Sequence, residues 1–129
     1  MTEKIKIIDF LRENQLDAIF VQKDENCRYL SKFTGSDSYL LLTKEKLYLL
    51  TDSRYTEQAR KEAADYTVVD YKGHLAEIVA KLAGEYHIKT MGVETVFSYQ
   101  MYLSFHEYMP NIEFRFSQID RLRQIKSEE

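Results

Sequence analysis

Apolar positions recur along this chain with two different periods, and the switching between them outlines a domain. Within residues 4–14, Ile5, Ile8 and Leu11, with Ile7 and Phe10 beside them, fall on one side of a helix and leave Lys4, Lys6, Arg12 and Glu13 outside. That spacing predicts a surface helix covering a core. After the polar break at Asn14 and Gln15, the run Ala18-Ile19-Phe20-Val21 is short, apolar and partly β-branched, which predicts a buried strand. Two further apolar runs, Tyr39–Thr43 and Leu47–Thr51, are separated only by Lys44-Glu45-Lys46. This leaves room for an antiparallel hairpin and none for a crossover, so the sheet is expected to be mixed. Leu40-Leu41-Leu42 and Tyr48-Leu49-Leu50 do not alternate with polar residues, which implies that helices cover both faces of the sheet.

Three later segments supply such helices. The first opens at Asp52 or Ser53 as N-cap and repeats Tyr55, Ala59 and Ala63; the second carries Leu75, Ile78, Val79 and Leu82. The third starts at Ser98, presents Met101, Tyr102, Phe105 and Met109, and stops at Pro110, which lacks an amide proton and clashes with the preceding turn. Thr67-Val68-Val69, Thr90–Val93 and Glu113–Phe116 read as the strands between them, the last with Phe114 and Phe116 on one face and Glu113 and Arg115 on the other. A final helical stretch, residues 120–129, places Leu122 and Ile125 on one side and Asp120, Arg121, Arg123, Lys126, Glu128 and Glu129 elsewhere. The expected fold class is α/β: a three-layer α/β/α sandwich with a mixed sheet, in which a hairpin interrupts an alternating strand and helix order.

Composition narrows the function classes. With 129 residues, 44% hydrophobic and 30% charged, the chain suits one globular domain with a real core. A net charge of −3, with Lys and Arg interleaved among Asp and Glu, offers no basic face for a nucleic-acid backbone. The amphipathic start is unlike a secretory leader, and no apolar run approaches the ~20 residues of a membrane span, so a cytoplasmic protein is expected. Cys27 is the only cysteine, which suits a reducing compartment, and it reads as a partly buried small side chain.

Compact catalytic motifs are absent. The 3 histidines, His74, His87 and His106, stand far apart and form no ligand pair, and each reads as an ordinary surface or core residue. The 4 glycines are isolated, so no phosphate-cradling loop is written in the chain. Ser36 and Ser38 flank Asp37 after Gly35 without forming a nucleophile elbow. Asp52 follows an apolar strand, where open α/β sheets place ligands and where a phosphotransfer aspartate would sit. That reading needs a second carboxylate for Mg²⁺, yet position 54 is Arg, and only Asp24 and Glu25 could substitute. In the plainer reading Asp52 or Ser53 caps a helix while Arg54 binds a carboxylate or carbonyl across the turn.

Several of these segments together resemble a known family. Arg28-Tyr29-Leu30-Ser31-Lys32-Phe33-Thr34-Gly35-Ser36, the hairpin after it, Thr51-Asp52-Ser53-Arg54-Tyr55-Thr56-Glu57-Gln58-Ala59, Met91-Gly92-Val93-Glu94 and the final stretch from Arg121 appear in the order seen in the N-terminal domain of the creatinase, prolidase and aminopeptidase P group. Each motif is modest alone, whereas Phe-Thr-Gly-Ser, Asp-x-Arg-Tyr and Arg-x-Ile-Lys-Ser in this order are specific. The resemblance implies a ribonuclease H-like motif within the sandwich, residues 1–119 as a non-catalytic domain, and residues 120–129 as the start of a linker helix. Beyond Glu129 it implies a pita-bread catalytic domain holding a pair of divalent metal ions, manganese or cobalt, whose bound hydroxide attacks the bond before proline. The implied parent is a metal-dependent Xaa-Pro dipeptidase, in preference to an aminopeptidase or a creatinase-like hydrolase.

On the same resemblance this domain contacts its own catalytic domain and a second copy of itself, and its loops narrow the cleft for a proline-containing peptide. The chain by itself is expected to hydrolyse nothing. The loop of residues 33–39 is the candidate to reach the cleft: Asp37 to pair with a substrate amine, with Ser36 and Tyr39 beside it and Gly35 allowing a tight bend. The competing reading is that Asp37 merely caps or solvates its loop. Asp52, Arg54 and Tyr55 carry the structural motif. Two other readings stay open: a stand-alone binding module of this fold, and a small phosphotransfer enzyme using Asp52.

Overall fold

Alternation along the strands sends neighbouring residues to opposite faces, and here both faces are apolar. The computed structural model describes residues 2–35 and 37–124. In chain order the elements are α1 (Thr2–Glu13), β1 (Ala18–Val21), α2 (Asp24–Ser31), β2 (Tyr39–Thr43), β3 (Leu47–Thr51), a 3₁₀ turn (Ser53–Tyr55) running into α3 (Thr56–Glu62), β4 (Thr67–Asp70), α4 (Leu75–Gly84), β5 (Thr90–Val93), α5 (Tyr99–Tyr108), β6 (Glu113–Phe116) and α6 (Arg121–Gln124). The strands form one sheet in the order β4-β3-β2-β1-β5-β6. β2 runs antiparallel to both β1 and β3, while β3 and β4, β1 and β5, and β5 and β6 are parallel, which is the mixed sheet expected. The hairpin is closed by Thr43, whose hydroxyl accepts from the Lys46 amide at 2.8 Å and donates to the Lys46 carbonyl at 2.9 Å.

One face of the sheet presents Ile19, Val21, Leu40, Leu42, Leu47 and Leu49 to Ile7, Phe10 and Leu11 of α1, Cys27 and Leu30 of α2, Ala59 of α3 and Leu122 of α6. The other presents Ala18, Phe20, Leu41, Leu50, Met91 and Val93 to Ala76, Val79 and Ala83 of α4 and Phe105 of α5. The three-layer sandwich is therefore observed. Each fully buried aliphatic or aromatic side chain contributes about 1.5–3 kcal/mol. Phe20 sits at the centre of the second cluster, stacked on Tyr39 at 5.6 Å and edge-on to Phe105 at 4.9 Å.

Two elements differ from the periodic reading. The buried face of α1 is centred on Ile7, Phe10 and Leu11, and Ile5 is 51% exposed. α2 has no apolar stripe to announce it, because Asn26 and Ser31 are buried beside Cys27 and Leu30 on the side that meets the sheet. Its end is marked by Lys32 in the left-handed conformation, with its amide donating to the Arg28 carbonyl. The helix ending at Pro110 begins as expected, with the Ser98 hydroxyl accepting from the Met101 amide at 3.0 Å. Leu122 is buried as expected, whereas Ile125 and the rest of the final stretch lie outside the described residues.

Candidate functional site

β1, β3, β4 and β5 all end along one edge of the sheet, and α2, the 3₁₀ turn, α4 and α5 each follow one of those strand ends. The loop of residues 33–39 returns the chain to the same edge, where β2 begins. Asp37, Tyr39, Asp52, Arg54 and Tyr55 therefore gather there.

The base of the loop is fastened to α3. Glu62 accepts from the Thr34 amide at 2.8 Å and the Thr34 hydroxyl at 3.0 Å, and Gln58 donates to its other oxygen at 3.1 Å. Gly35 lies against the buried Phe33 ring, where a Cβ would come within 2.8 Å of Cε2. Close approach to that ring, and not the tight bend expected from sequence, is what requires glycine, since among the described glycines only Gly73 has a positive φ. Asp37 is exposed and takes the left-handed conformation at φ 57°, which aspartate tolerates better than most residues. Ser38 beside it is 3% exposed, so the backbone dives inward and leaves Asp37 at the tip. Ser36 lies outside the described residues.

Tyr39 is half-buried between the Phe20 ring and the edge of Tyr71, 5.8 Å away. Burial, then the Asp37 carboxylate, pushes its phenol pKa up, and burial with Tyr39 and Asp37 does the same to Tyr71. Asp37, Tyr39 and Tyr71 thus share one electrostatic neighbourhood on the strand-end edge.

Asp52 is the N-cap of the 3₁₀ turn: its Oδ1 accepts from the Arg54 amide at 2.9 Å and from Arg54 Nε at 3.1 Å. Those two bonds, the backbone one first, hold its carboxyl below the usual range. Arg54 also lies 5.1 Å over the Tyr55 ring. The capping reading is observed, and a phosphotransfer aspartate would need this carboxylate free. Asp24 and Glu25 stand exposed in the first turn of α2. Among the described residues no group of three or more His, Cys, Asp or Glu could hold a metal ion.

Sequence reading quoted Glu94 only as part of a motif, yet it organises this edge. It is 2% exposed, and its Oε1 accepts from the backbone amides of Gln22 at 2.6 Å and Lys23 at 2.9 Å, while Oε2 accepts from Asn26 Nδ2 at 2.6 Å. Asn26 and Lys23 reach on to Asp120, at 2.8 and 3.0 Å, which joins β5, β1 and α2 to the start of α6. A cavity of about 210 Å³ opens beside Lys23, Glu94, Ser117 and Asp120. The available signal was an acid placed directly after the apolar Met91-Gly92-Val93.

A groove of about 510 Å³ lies away from this edge between α1, α2 and α3, with Ile5, Ile8, Leu30 and Leu47 among its walls. Its walls also carry Lys4, Lys32, Glu62 and Asp65, but none of Asp37, Tyr39 or Asp52.

Cys27 is buried more deeply than expected, at 2% exposure, with Sγ 3.6 Å from the carbonyls of Val21 and Ser38. Burial, then the Glu94 charge, pushes its thiol well above the ordinary range. An aromatic disulfide reagent is expected to label the native chain at least ~100-fold more slowly than the urea-unfolded chain, because the thiolate is the reactive form. Equal rates would refute this.

An α/β sandwich with one reversed strand, flanked by helices on both faces, is the class that fold and edge define. Residues 5–125 match the family model of the creatinase/prolidase N-terminal domain, and the chain belongs to that family. An uncharacterized peptidase, YqhT, of Bacillus subtilis (strain 168) is 31% identical over 121 residues, covering 88% of this chain and 33% of that protein. An Xaa-Pro dipeptidase from Bacillus anthracis superposes with a TM-score of 0.89 at 30% identity, covering 99% of this chain and 37% of that one. The N-terminal domain of the cytoplasmic peptidase PepQ from Mycobacterium tuberculosis H37Rv superposes with a TM-score of 0.84 at 27% identity, covering 95% and 98%. The chain thus spans about a third of the length of the curated relatives it matches.

Proposed function

We propose that this chain acts as the non-catalytic N-terminal domain of a cytoplasmic Xaa-Pro dipeptidase, where it supports a homodimer and narrows the cleft around a proline-containing peptide. The observation that carries this reading is its likeness, over 99% of its length, to part of the Bacillus anthracis Xaa-Pro dipeptidase. In this reading the catalytic domain, with its divalent metal ions, is a separate part of the parent protein, and the described residues here supply no ligands to it. What this chain supplies is a positioned carboxylate. Asp37 stands on a loop whose base is fixed by Glu62 and whose neighbour Tyr39 is clamped between rings. In this reading the Asp37 carboxylate faces a substrate α-amine that enters from the strand-end edge.

Asp37→Ala in the full-length enzyme tests the cleft role. A lost charge-assisted hydrogen bond contributes about 1.5–3 kcal/mol, so KM for an Xaa-Pro dipeptide is expected to rise by roughly tenfold or more with kcat little changed. Unchanged KM and selectivity would leave the domain with assembly alone.

A further inference from the structure

The two edges of the sheet are unequally protected. At the β4 edge, Val68 and Val69 pack into the two clusters, one on each face. At the β6 edge Phe114 packs against the second cluster, whereas Phe116 is 70% exposed, Tyr99 at the start of α5 is 74% exposed and Val96 before it is 48% exposed. α5 lines this edge with rings. Tyr102 meets Phe114 of β6 edge-on at 5.8 Å and stacks with Tyr99 at 6.3 Å and His106 at 5.5 Å. An open edge beside an exposed aromatic stripe is a surface that proteins usually cover or break up with charge.

The backbone of β6 is arranged to accept another strand. The amides of Glu113 and Ser117 donate inward to the carbonyls of Lys89 and Val93, so by alternation the N–H and C=O groups of Phe114 and Phe116 face out. The side chains decide which strand fits. A two-fold axis perpendicular to the sheet keeps each face continuous, so residues paired across it must share a face. Centring the axis on Phe114 sets Glu113 opposite Arg115 of the second copy, twice over, with Phe114 opposite its own equivalent on the other face. Centring it on Arg115 would oppose the arginines. Glu113 and Arg115 already lie together on one face, 2.7 Å apart, with side chains 61% and 38% exposed.

We propose that β6 is a seam between two copies of this chain, paired antiparallel about Phe114, which continues the sheet across both copies and brings the ring-bearing side of α5 in one against α5 in the other. This deepens the homodimer named in the proposed function and rests on it. Main-chain bonds and the aromatic stripe provide the attraction, and the Glu113 and Arg115 pattern selects the register.

The test uses two variants, one at the exposed Glu113 and one at the half-exposed Arg115, whose guanidinium also donates to the Gln15 carbonyl at 3.3 Å. Glu113→Arg makes the strand basic and Arg115→Glu makes it acidic, so in the proposed register each variant opposes like charges to itself while the two complement each other. By sedimentation at low salt the unmodified 129-residue chain is expected to form dimers. Each variant alone should associate roughly tenfold more weakly, an equimolar mixture should recover dimers of mixed composition, and ~1 M salt should erase the discrimination. Phe116→Lys should weaken association in either background. A dimer that ignores both charge variants overturns the seam and leaves the homodimer itself standing; a chain that stays monomeric up to ~1 mM overturns the seam as well. Neither result bears on the Asp37 measurement, which is made on peptide hydrolysis.

Discussion

Glu94→Ala is expected to lower the unfolding free energy of the domain by roughly 3–5 kcal/mol, read as a shifted urea midpoint at unchanged slope. The Gln22 and Lys23 amides and the Asn26 side chain all donate to this one carboxylate, and the residue is 2% exposed, so truncation removes their acceptor where water does not readily replace it. Burying a donor without a partner costs about 1–3 kcal/mol. Glu94→Gln keeps the shape and one carbonyl oxygen for the two amides, but sets an amide nitrogen where the Asn26 nitrogen now donates. Its cost should therefore be smaller, roughly 1–2 kcal/mol. A Glu94→Ala domain within ~1 kcal/mol of the unmodified chain would show that the carboxylate does not hold this edge together.

The second large effect is expected two residues earlier. A Cβ at position 92 would stand 2.7 Å from Leu16 Cδ1, 2.9 Å from Ser117 Oγ and 3.0 Å from Ile19 Cγ2. Leu16 and Ile19 are 2% and 0% exposed, so neither has open space to retreat into. Overpacking a closed core costs about 1–3 kcal/mol and occasionally more, and Gly92→Val, which adds branched volume, is expected at or above the top of that range. Thermal unfolding followed by far-UV circular dichroism would measure it; an unchanged midpoint would mean that β1 and β5 can separate without loss. Gly92 and Glu94 thus serve one purpose: the glycine lets β5 lie close to β1 and Leu16, and the acid ties the end of β5 to the turn after β1.

Much of the fold was legible because burial on both faces leaves uninterrupted apolar strands. Leu40-Leu41-Leu42 and Tyr48-Leu49-Leu50 announced the hairpin and the helical cover on either side, and both are observed. α2 was not legible, since its inward side is built from Asn26, Cys27 and Ser31, and the bond that makes a buried Asn26 acceptable goes to Glu94, far along the chain, while Ser31 turns back on the Cys27 carbonyl. The same cause hid Glu94, whose donors lie 68–72 positions away along the chain. Asp52 was legible as a cap because its partner is local: Arg54 is two residues on. Gly35 was assigned the wrong reason, as its need for a small side chain comes from the Phe33 ring and not from its own backbone angles.

The strand order carries a consequence for how the domain assembles. β1, β2 and β3 are consecutive in the chain and adjacent in the sheet, β2 and β3 joined by a tight hairpin and β1 and β2 by α2, so they can form while the rest of the chain is still being made. β5, which covers the other side of β1, arrives last among the central strands, and its register sets Phe20 opposite Val93. Until that residue is in place, β1 has an open edge and the amides of Gln22 and Lys23 have no carboxylate to meet. Closure of the sheet and the burial of Glu94 are therefore one late event. A lesion at either Gly92 or Glu94 should lengthen the time that a half-built sheet spends exposed to neighbouring chains, even where the finished fold survives it.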